Sequence, residues 1–177
     1  MNEMIARASA AQATASDPAA SVFVSANAGT GKTKLLTDRV LRLLLSGAPA
    51  DGILCVTYTR AAAAEMRNRI FKRLANWATI SAKALGDDLK NMGIVMPSQD
   101  MRRRARNLFA EILDNDDGPR VETVHSFCQS ILRRFPIEAG VTPPVQLVDD
   151  DEQSRLKAMA RANILYHPSP ALAASVL

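Results

Sequence analysis

The chain has 177 residues, 47% of them hydrophobic and 23% charged, with a net charge of +4 and a pI ≈ 9.4. That is enough for one domain with a real core, and ordinary for a soluble globular protein; the mild basicity agrees with a polyanionic partner without requiring one. Cys55, Cys128, His125 and His167 give neither a disulfide framework nor a metal-ligand spacing, no run suits a membrane span, and Glu3, Arg7 and Gln12 interrupt what a secretory leader would keep apolar. A reducing, cytoplasmic location is the expectation.

Residues 1–17 are Ala-rich and weakly helical, and Asp17-Pro18 breaks any helix there. Ser21 to Val24 reads as a first strand. Next comes Ser25-Ala26-Asn27-Ala28-Gly29-Thr30-Gly31-Lys32-Thr33, followed by an apolar-periodic helix from Leu35 to Leu45. Strand, tight loop and helix in that order describe a phosphate cradle. Gly29 and Gly31 have no side chain, so backbone N–H groups can turn inward around an anion. The helix aims its positive end at the same place. Lys32 supplies a point charge for the β- and γ-phosphates, and the Thr33 hydroxyl is placed to ligate Mg²⁺. The usual pattern is G-x-x-x-x-G-K-[ST]. Its first glycine falls at position 26, which is Ala here. A Gly-rich turn followed by an ordinary surface lysine is the competing reading.

The helix is apolar on more than one side and stops at Ser46-Gly47. Ile53 to Tyr58 is a continuous apolar run that suits a central parallel strand, and strand–helix–strand with a long crossover gives an α/β sheet. After Thr59-Arg60, the segment from Ala61 to Ile70 is strong helix former, with Met66, Ile70, Leu74 and Trp77 as a core stripe. Residues 78–100 read as helical pieces with loops. A helix then starts at Met101; its Arg102, Arg103, Arg104 and Arg106 suit either phosphates or a solvated face. Pro119 to Val124 is a short strand, and a helix follows His125-Ser126-Phe127-Cys128 and stops before Pro136. Val145 to Val148 is another strand, and Asp149-Asp150-Asp151-Glu152 opens a last helix with acids at its N-terminus.

Three of these stretches resemble one family. Ala26 to Thr33 resembles motif I of superfamily 1 DNA helicases of the UvrD/Rep type, which accepts Ala at the first motif position. Ile53 to Met66 looks like motif Ia, and Thr123-Val124-His125-Ser126-Phe127-Cys128 looks like motif Ib. The run Arg133 to Val141 narrows the resemblance to the AddA subunits of bacterial AddAB helicase–nucleases, with RecB more distant. It covers roughly Gln12 to Glu152.

The resemblance implies a P-loop NTPase (RecA-like) parallel sheet with flanking helices, using ATP and Mg²⁺. It divides the chain into an N-terminal segment (1–20), a P-loop core with motifs I and Ia (21–77), a helical insertion (78–118) and a continuation with motif Ib (119–177). Gln12 would read adenine. Ala26, Asn27, Ala28, Gly29, Thr30, Gly31, Lys32 and Thr33 would hold ATP, with Lys32 and Thr33 serving catalysis and Thr33 the metal. Thr57, Tyr58, Thr59, Arg60 and His125 would contact DNA. For Tyr58, core packing competes with stacking on a base; for His125, an ordinary hydrogen-bonded turn competes.

The family's Walker B Asp-Glu pair has no match here, since Asp149 to Glu152 comes too soon after motif Ib and lacks the D-E-x-Q-D-x form. The expectation is an incomplete first motor domain plus part of a helical insertion, cut before Walker B. It would bind nucleotide weakly and hydrolyse it at background. Its expected partners are single- or double-stranded DNA and an AddB-like subunit, with no membrane. A stand-alone P-loop nucleotide-binding protein and an inactive remnant are the alternatives.

Overall fold

The computed structural model describes residues 10–25, 27, 29, 31–115, 118–141 and 150–166. Residues 10–15 are helical. Helix α1 spans Lys32–Ser46, strand β1 Leu54–Thr57, and helix α2 Arg60–Thr79. Helices α3 and α4 span Ala82–Asn91 and Gln99–Asn115. Strand β2 is Arg120–Thr123, α5 is Val124–Arg134 and α6 is Asp150–Tyr166.

The expected α/β class is what the structure has. β1 and β2 run parallel, with Leu54 opposite Arg120 and Thr57 opposite Thr123. Parallel pairing needs a long crossover, which α2, α3 and α4 provide. Hydroxyl side chains set where these helices begin. Thr59 Oγ1 accepts from Ala62 N at 3.1 Å, Ser81 Oγ from Ala84 N at 3.2 Å, Ser98 Oγ from Met101 N at 3.1 Å and Thr123 Oγ1 from Ser126 N at 3.1 Å. Each bond satisfies one of the amides a helix start leaves open.

The chain divides into two compact units, 1–128 and 129–177. The core of the first is built from Leu41 and Leu44 of α1, Ile70, Leu74 and Trp77 of α2, Leu85 and Leu89 of α3, Leu108 of α4 and Val121 of β2, all buried. The stripe Met66, Ile70, Leu74 and Trp77 is therefore core, as its spacing predicts. Trp77 is fully buried, and its indole N–H donates to Asp88 Oδ2 at 2.6 Å; Arg73 grips the same carboxylate through Nε at 2.6 Å and Nη2 at 2.8 Å. In the second unit the Arg134 guanidinium lies 5.8 Å from the Phe135 ring centroid, and α6 is exposed from residue 151 to residue 166.

Two expectations are corrected. Residues 21–25 join no strand: Val22 and Val24 are exposed and Phe23 is 93% exposed. An apolar run becomes a strand only beside a ladder partner, and the described sheet holds β1 and β2 alone. Nor is β1 buried on both faces. Leu54 and Val56 stand exposed while Cys55 and Thr57 are half-buried. The inward face of the sheet is the one carrying Val121 and Thr123, their register partners. The expected strand Val145 to Val148 lies outside the described residues.

The arginines of α4 serve neither expected role as a group. Arg104 Nε donates to Leu44 O at 2.9 Å, in the last turn of α1, and Arg106 Nη1 donates to Trp77 O at 2.7 Å, in the last turn of α2. Those are carbonyls that helix ends leave without intrahelical partners. Arg103 pairs with Asp100 on the surface.

Replacing Asp88 with Ala leaves the Trp77 indole and the Arg73 guanidinium without their shared acceptor. Urea unfolding should show a loss of about 1–3 kcal/mol, whereas Asp100→Ala at the exposed Arg103 pair should change stability by no more than about 0.5 kcal/mol.

Candidate functional site

Of the loop before α1, Asn27, Gly29 and Gly31 are described; Ala26, Ala28 and Thr30 lie outside the described residues. Gly29 has φ +80° and Gly31 φ +87°, in the left-handed region that costs an L side chain about 1–2 kcal/mol. Gly31 occupies the N-cap of α1, and no side-chain hydrogen bond caps that helix. It also has no acidic residue in its first turn. The lack of a side-chain cap sets α1 apart from α2, α3, α4 and α5, whose starts carry hydroxyl caps. The first-turn amides of α1, and with them the positive end of its dipole, face the loop.

Lys32 Nζ donates to Asn27 O and so sits across the loop rather than away from it. Thr33 is exposed one residue further along the first turn. Gln12, in the helical stretch over residues 10–15, comes to the same place: a Cβ placed on Gly31 would lie 3.2 Å from Gln12 Nε2. Gln12, Phe23, Ser25, Gly31, Lys32 and Leu35 line one cleft of about 360 Å³. The structure thus brings Gln12, Asn27, Gly29, Gly31, Lys32 and Thr33 together from two separate stretches of chain.

A second group gathers at the C-terminal ends of the two strands, where open α/β sheets bind ligands. Thr57 ends β1, and Tyr58, Thr59 and Arg60 lead into α2. His125 lies in the first turn of α5, directly after β2. Tyr58 is 87% exposed, so core packing does not account for it. His125 and Arg60 are exposed, Thr57 is half-buried, and the Thr59 hydroxyl serves as the α2 cap.

Beside Arg60 a cleft of about 450 Å³ is lined by Arg67, Arg120, Glu122, Thr123 and Ser126; Thr123 and Ser126 stand in the motif Ib stretch, whereas the motif reading singled out none of Arg67, Arg120 and Glu122. Arg67 was legible, because it falls two helical turns after Arg60 on one face of α2. It is anchored by Val121 O at 2.8 Å, and Arg120 by Glu122 at 2.6 Å. Burial pushes the Cys55 thiol of β1 above its ordinary pKa.

A larger cleft, about 760 Å³, lies at neither group. It opens between α1 and α2 and is lined by Lys34, Asp38, Arg69, Lys72, Arg73 and Asn76. Its charges are largely matched: Lys34 with Asp38 at 2.7 Å, Arg69 with Glu65, Arg73 with Asp88. It reads as an ion-pair network between two helices. Among the described residues no cluster of His, Cys, Asp or Glu could hold a metal by itself, and no helix is long and apolar enough to cross a membrane.

Residues 7–171 match the UvrD/REP helicase N-terminal domain. The chain is 31% identical over 140 residues, 79% of its length, to the AddA subunit of the ATP-dependent helicase/nuclease of Lactobacillus gasseri, and covers 10% of that protein. To the protein of that name from Enterococcus faecalis it is 33% identical over 135 residues, covering 76% of this chain and 9% of the relative. To that from Pelotomaculum thermopropionicum it is 33% identical over 142 residues, 78% of this chain and 10% of the relative. The chain spans about a tenth of the length of the curated relatives it matches.

Gly31→Ala should destabilise the chain by about 1–2 kcal/mol or more in urea unfolding, through the positive φ and the 3.2 Å approach of its Cβ to Gln12 Nε2. Gly86→Ala should instead stabilise it by up to about 1 kcal/mol, since Gly86 is inside helix α3 with open space at its Cβ. Equal effects at the two positions would contradict the left-handed loop.

Proposed function

The chain belongs to the UvrD/REP helicase N-terminal domain family, and from that premise we propose that it forms the phosphate-binding half of an ATP site, with part of a DNA groove, in an ATP-dependent DNA helicase–nuclease. The fold this reading requires is RecA-like. The protein would act in the cytoplasm on broken double-stranded DNA, in repair and recombination, with an AddB-like partner.

The observation that carries the nucleotide reading is the start of α1. Its N-cap, Gly31, supplies no side-chain hydrogen bond, it follows two left-handed glycines, and it has Lys32 lying across the loop. The first-turn amides, a dipole and an ammonium favour a polyphosphate, and an L side chain at Gly29 or Gly31 would be strained where the anion must approach. The residues therefore fit the group that the family implies. Lys32 would exchange the Asn27 carbonyl for phosphate oxygens, Thr33 would take the Mg²⁺ that accompanies them, and Gln12 would face the base. Bound Mg²⁺ neutralises phosphate charge. Binding without turnover is the expected behaviour of this chain alone.

DNA would lie along the C-terminal edge of the strands. The exposed ring of Tyr58 offers a stacking surface, Arg60 a phosphate contact, and Thr57, Thr59 and His125 polar contacts to the backbone.

Two measurements check this reading. At a ligand concentration of about 100 Kd, Mg-ATP should stabilise the wild-type chain by about 2.7 kcal/mol, and Lys32→Ala should abolish that gain. In fluorescence anisotropy with single-stranded DNA, Tyr58→Ala should weaken binding by about 1–3 kcal/mol. Arg60→Ala should lower the slope of log affinity against log salt by about 0.7. Nucleotide binding with no DNA affinity in the wild type would point instead to a stand-alone nucleotide-binding protein.

A further inference from the structure

The segment that carries Gln12, helical over residues 10–15, is held closely. Arg39 and Arg42, three residues apart on α1, reach across to its backbone. Arg39 Nη1 donates to Asp17 O at 2.7 Å and to Ala15 O at 3.3 Å, and its Nη2 donates to Ala20 O at 2.6 Å. Arg42 Nη1 donates to Ala13 O at 2.7 Å and to Ser16 Oγ at 2.8 Å, and its Nη2 lies 3.8 Å from the Asp17 carboxylate. Ala13 and Ala15 belong to the C-terminal turn of the helix that ends at residue 15. Their carbonyls lack intrahelical partners and favour a cation nearby.

The other side of the segment is closed by a turn some eighty residues further along the chain. Arg42 Nη1 also donates to Met92 O at 3.2 Å, and the Ser16 hydroxyl, 1% exposed, reaches the same carbonyl at 3.5 Å. Gly93 follows with φ +88°, and a Cβ there would lie 2.8 Å from the Ala13 Cβ. Only glycine permits both the turn and the approach. Ala13 is the neighbour of Gln12, whose amide nitrogen sits 3.2 Å from where a Gly31 Cβ would be.

We propose that Arg39, Arg42 and Gly93 are positioning residues which fix Gln12 at the cleft beside Lys32 and thereby set selectivity for the nucleobase. This rests on the nucleotide reading above. A carboxamide offers an acceptor and donors on one plane. That pattern matches adenine, with its N6 amino donor and N7 acceptor, and mismatches guanine, with acceptors at both O6 and N7. The match is made only while the carboxamide is held in place. The phosphate end of the ligand, on Gly29, Gly31 and Lys32, does not depend on the clamp.

Calorimetric titration of the chain with Mg-ATP, Mg-GTP and Mg-tripolyphosphate separates the two ends of the site. Wild type should prefer ATP to GTP by about fivefold or more, the low end of a bidentate base contact. Gln12→Ala should remove the preference. Arg42→Ala and Gly93→Ala should do the same while binding tripolyphosphate as wild type does. The doubly substituted Arg39→Lys, Arg42→Lys chain keeps length and charge but loses the forked donors. It serves as the gentler variant should the other two fold poorly, and it should lose the preference too.

Folded variants that keep the preference would overturn the clamp and leave the nucleotide reading intact. So would a parallel loss of tripolyphosphate affinity, which marks a general structural role. Equal wild-type affinity for ATP and GTP would remove the base-reading role of Gln12, and the clamp with it. A wild-type chain that binds none of the three ligands would overturn the nucleotide reading itself.

Discussion

At Gly31 the backbone turns left-handed, and α1 begins at the next residue. That one conformation sets the position of Lys32 and Thr33 in the first turn. It also leaves the helix start without a side-chain cap. The rest of α1 is not free to adjust, because Leu41 and Leu44 are buried in the core and Arg104 holds Leu44 O at its far end. A rigid helix anchored at its C-terminal half therefore presents its positive end at a fixed place. The helical stretch bearing Gln12 is fastened to the same element by Arg39 and Arg42, so both sides of the smaller cleft are referred to α1.

The arginines of this chain serve backbone carbonyls as much as its surface. Arg39, Arg42, Arg67, Arg104 and Arg106 each donate to main-chain oxygens. Hydrogen bonds from charged donors contribute about 1.5–3 kcal/mol each, against about 0–1 kcal/mol for an exposed ion pair. The magnitudes favour a structural role for these five. The net charge of +4 is consequently a poor guide to where a polyanion would bind. Placement is the better guide: Arg60 and the exposed Tyr58 at the strand ends, and Lys32 at the uncapped helix.

Much of this was legible in the residues. The Gly-Thr-Gly-Lys-Thr run with a helix behind it located the loop, and the spacing of Met66, Ile70, Leu74 and Trp77 located the buried face of α2. Thr59, Ser81, Ser98 and Thr123 are the residue types that begin helices. Val22-Phe23-Val24 misled, because an apolar run states that a segment can be buried, while a ladder partner decides whether it is a strand. The run Ile53 to Tyr58 misled in a smaller way, since burial on both faces depends on what covers the sheet. Arg102 to Arg106 looked like a patch, yet α4 turns Arg104 and Arg106 toward carbonyls of two other helices. No local signal announces a contact between segments so far apart in the chain. The clamp on Gln12 is of the same kind, and it depends on Gly93, which sequence alone marks only as a turn.

The central claim, that the start of α1 is a nucleotide site, is tested most directly by following backbone and side-chain amides in a two-dimensional NMR titration with Mg-ATP. The account predicts saturable shifts concentrated at Asn27, Gly29, Gly31, Lys32 and Thr33 and at the Gln12 carboxamide, with Lys72 and Asn76 unmoved. Shifts centred instead on the larger cleft between α1 and α2, or no saturable shift at all, would contradict it.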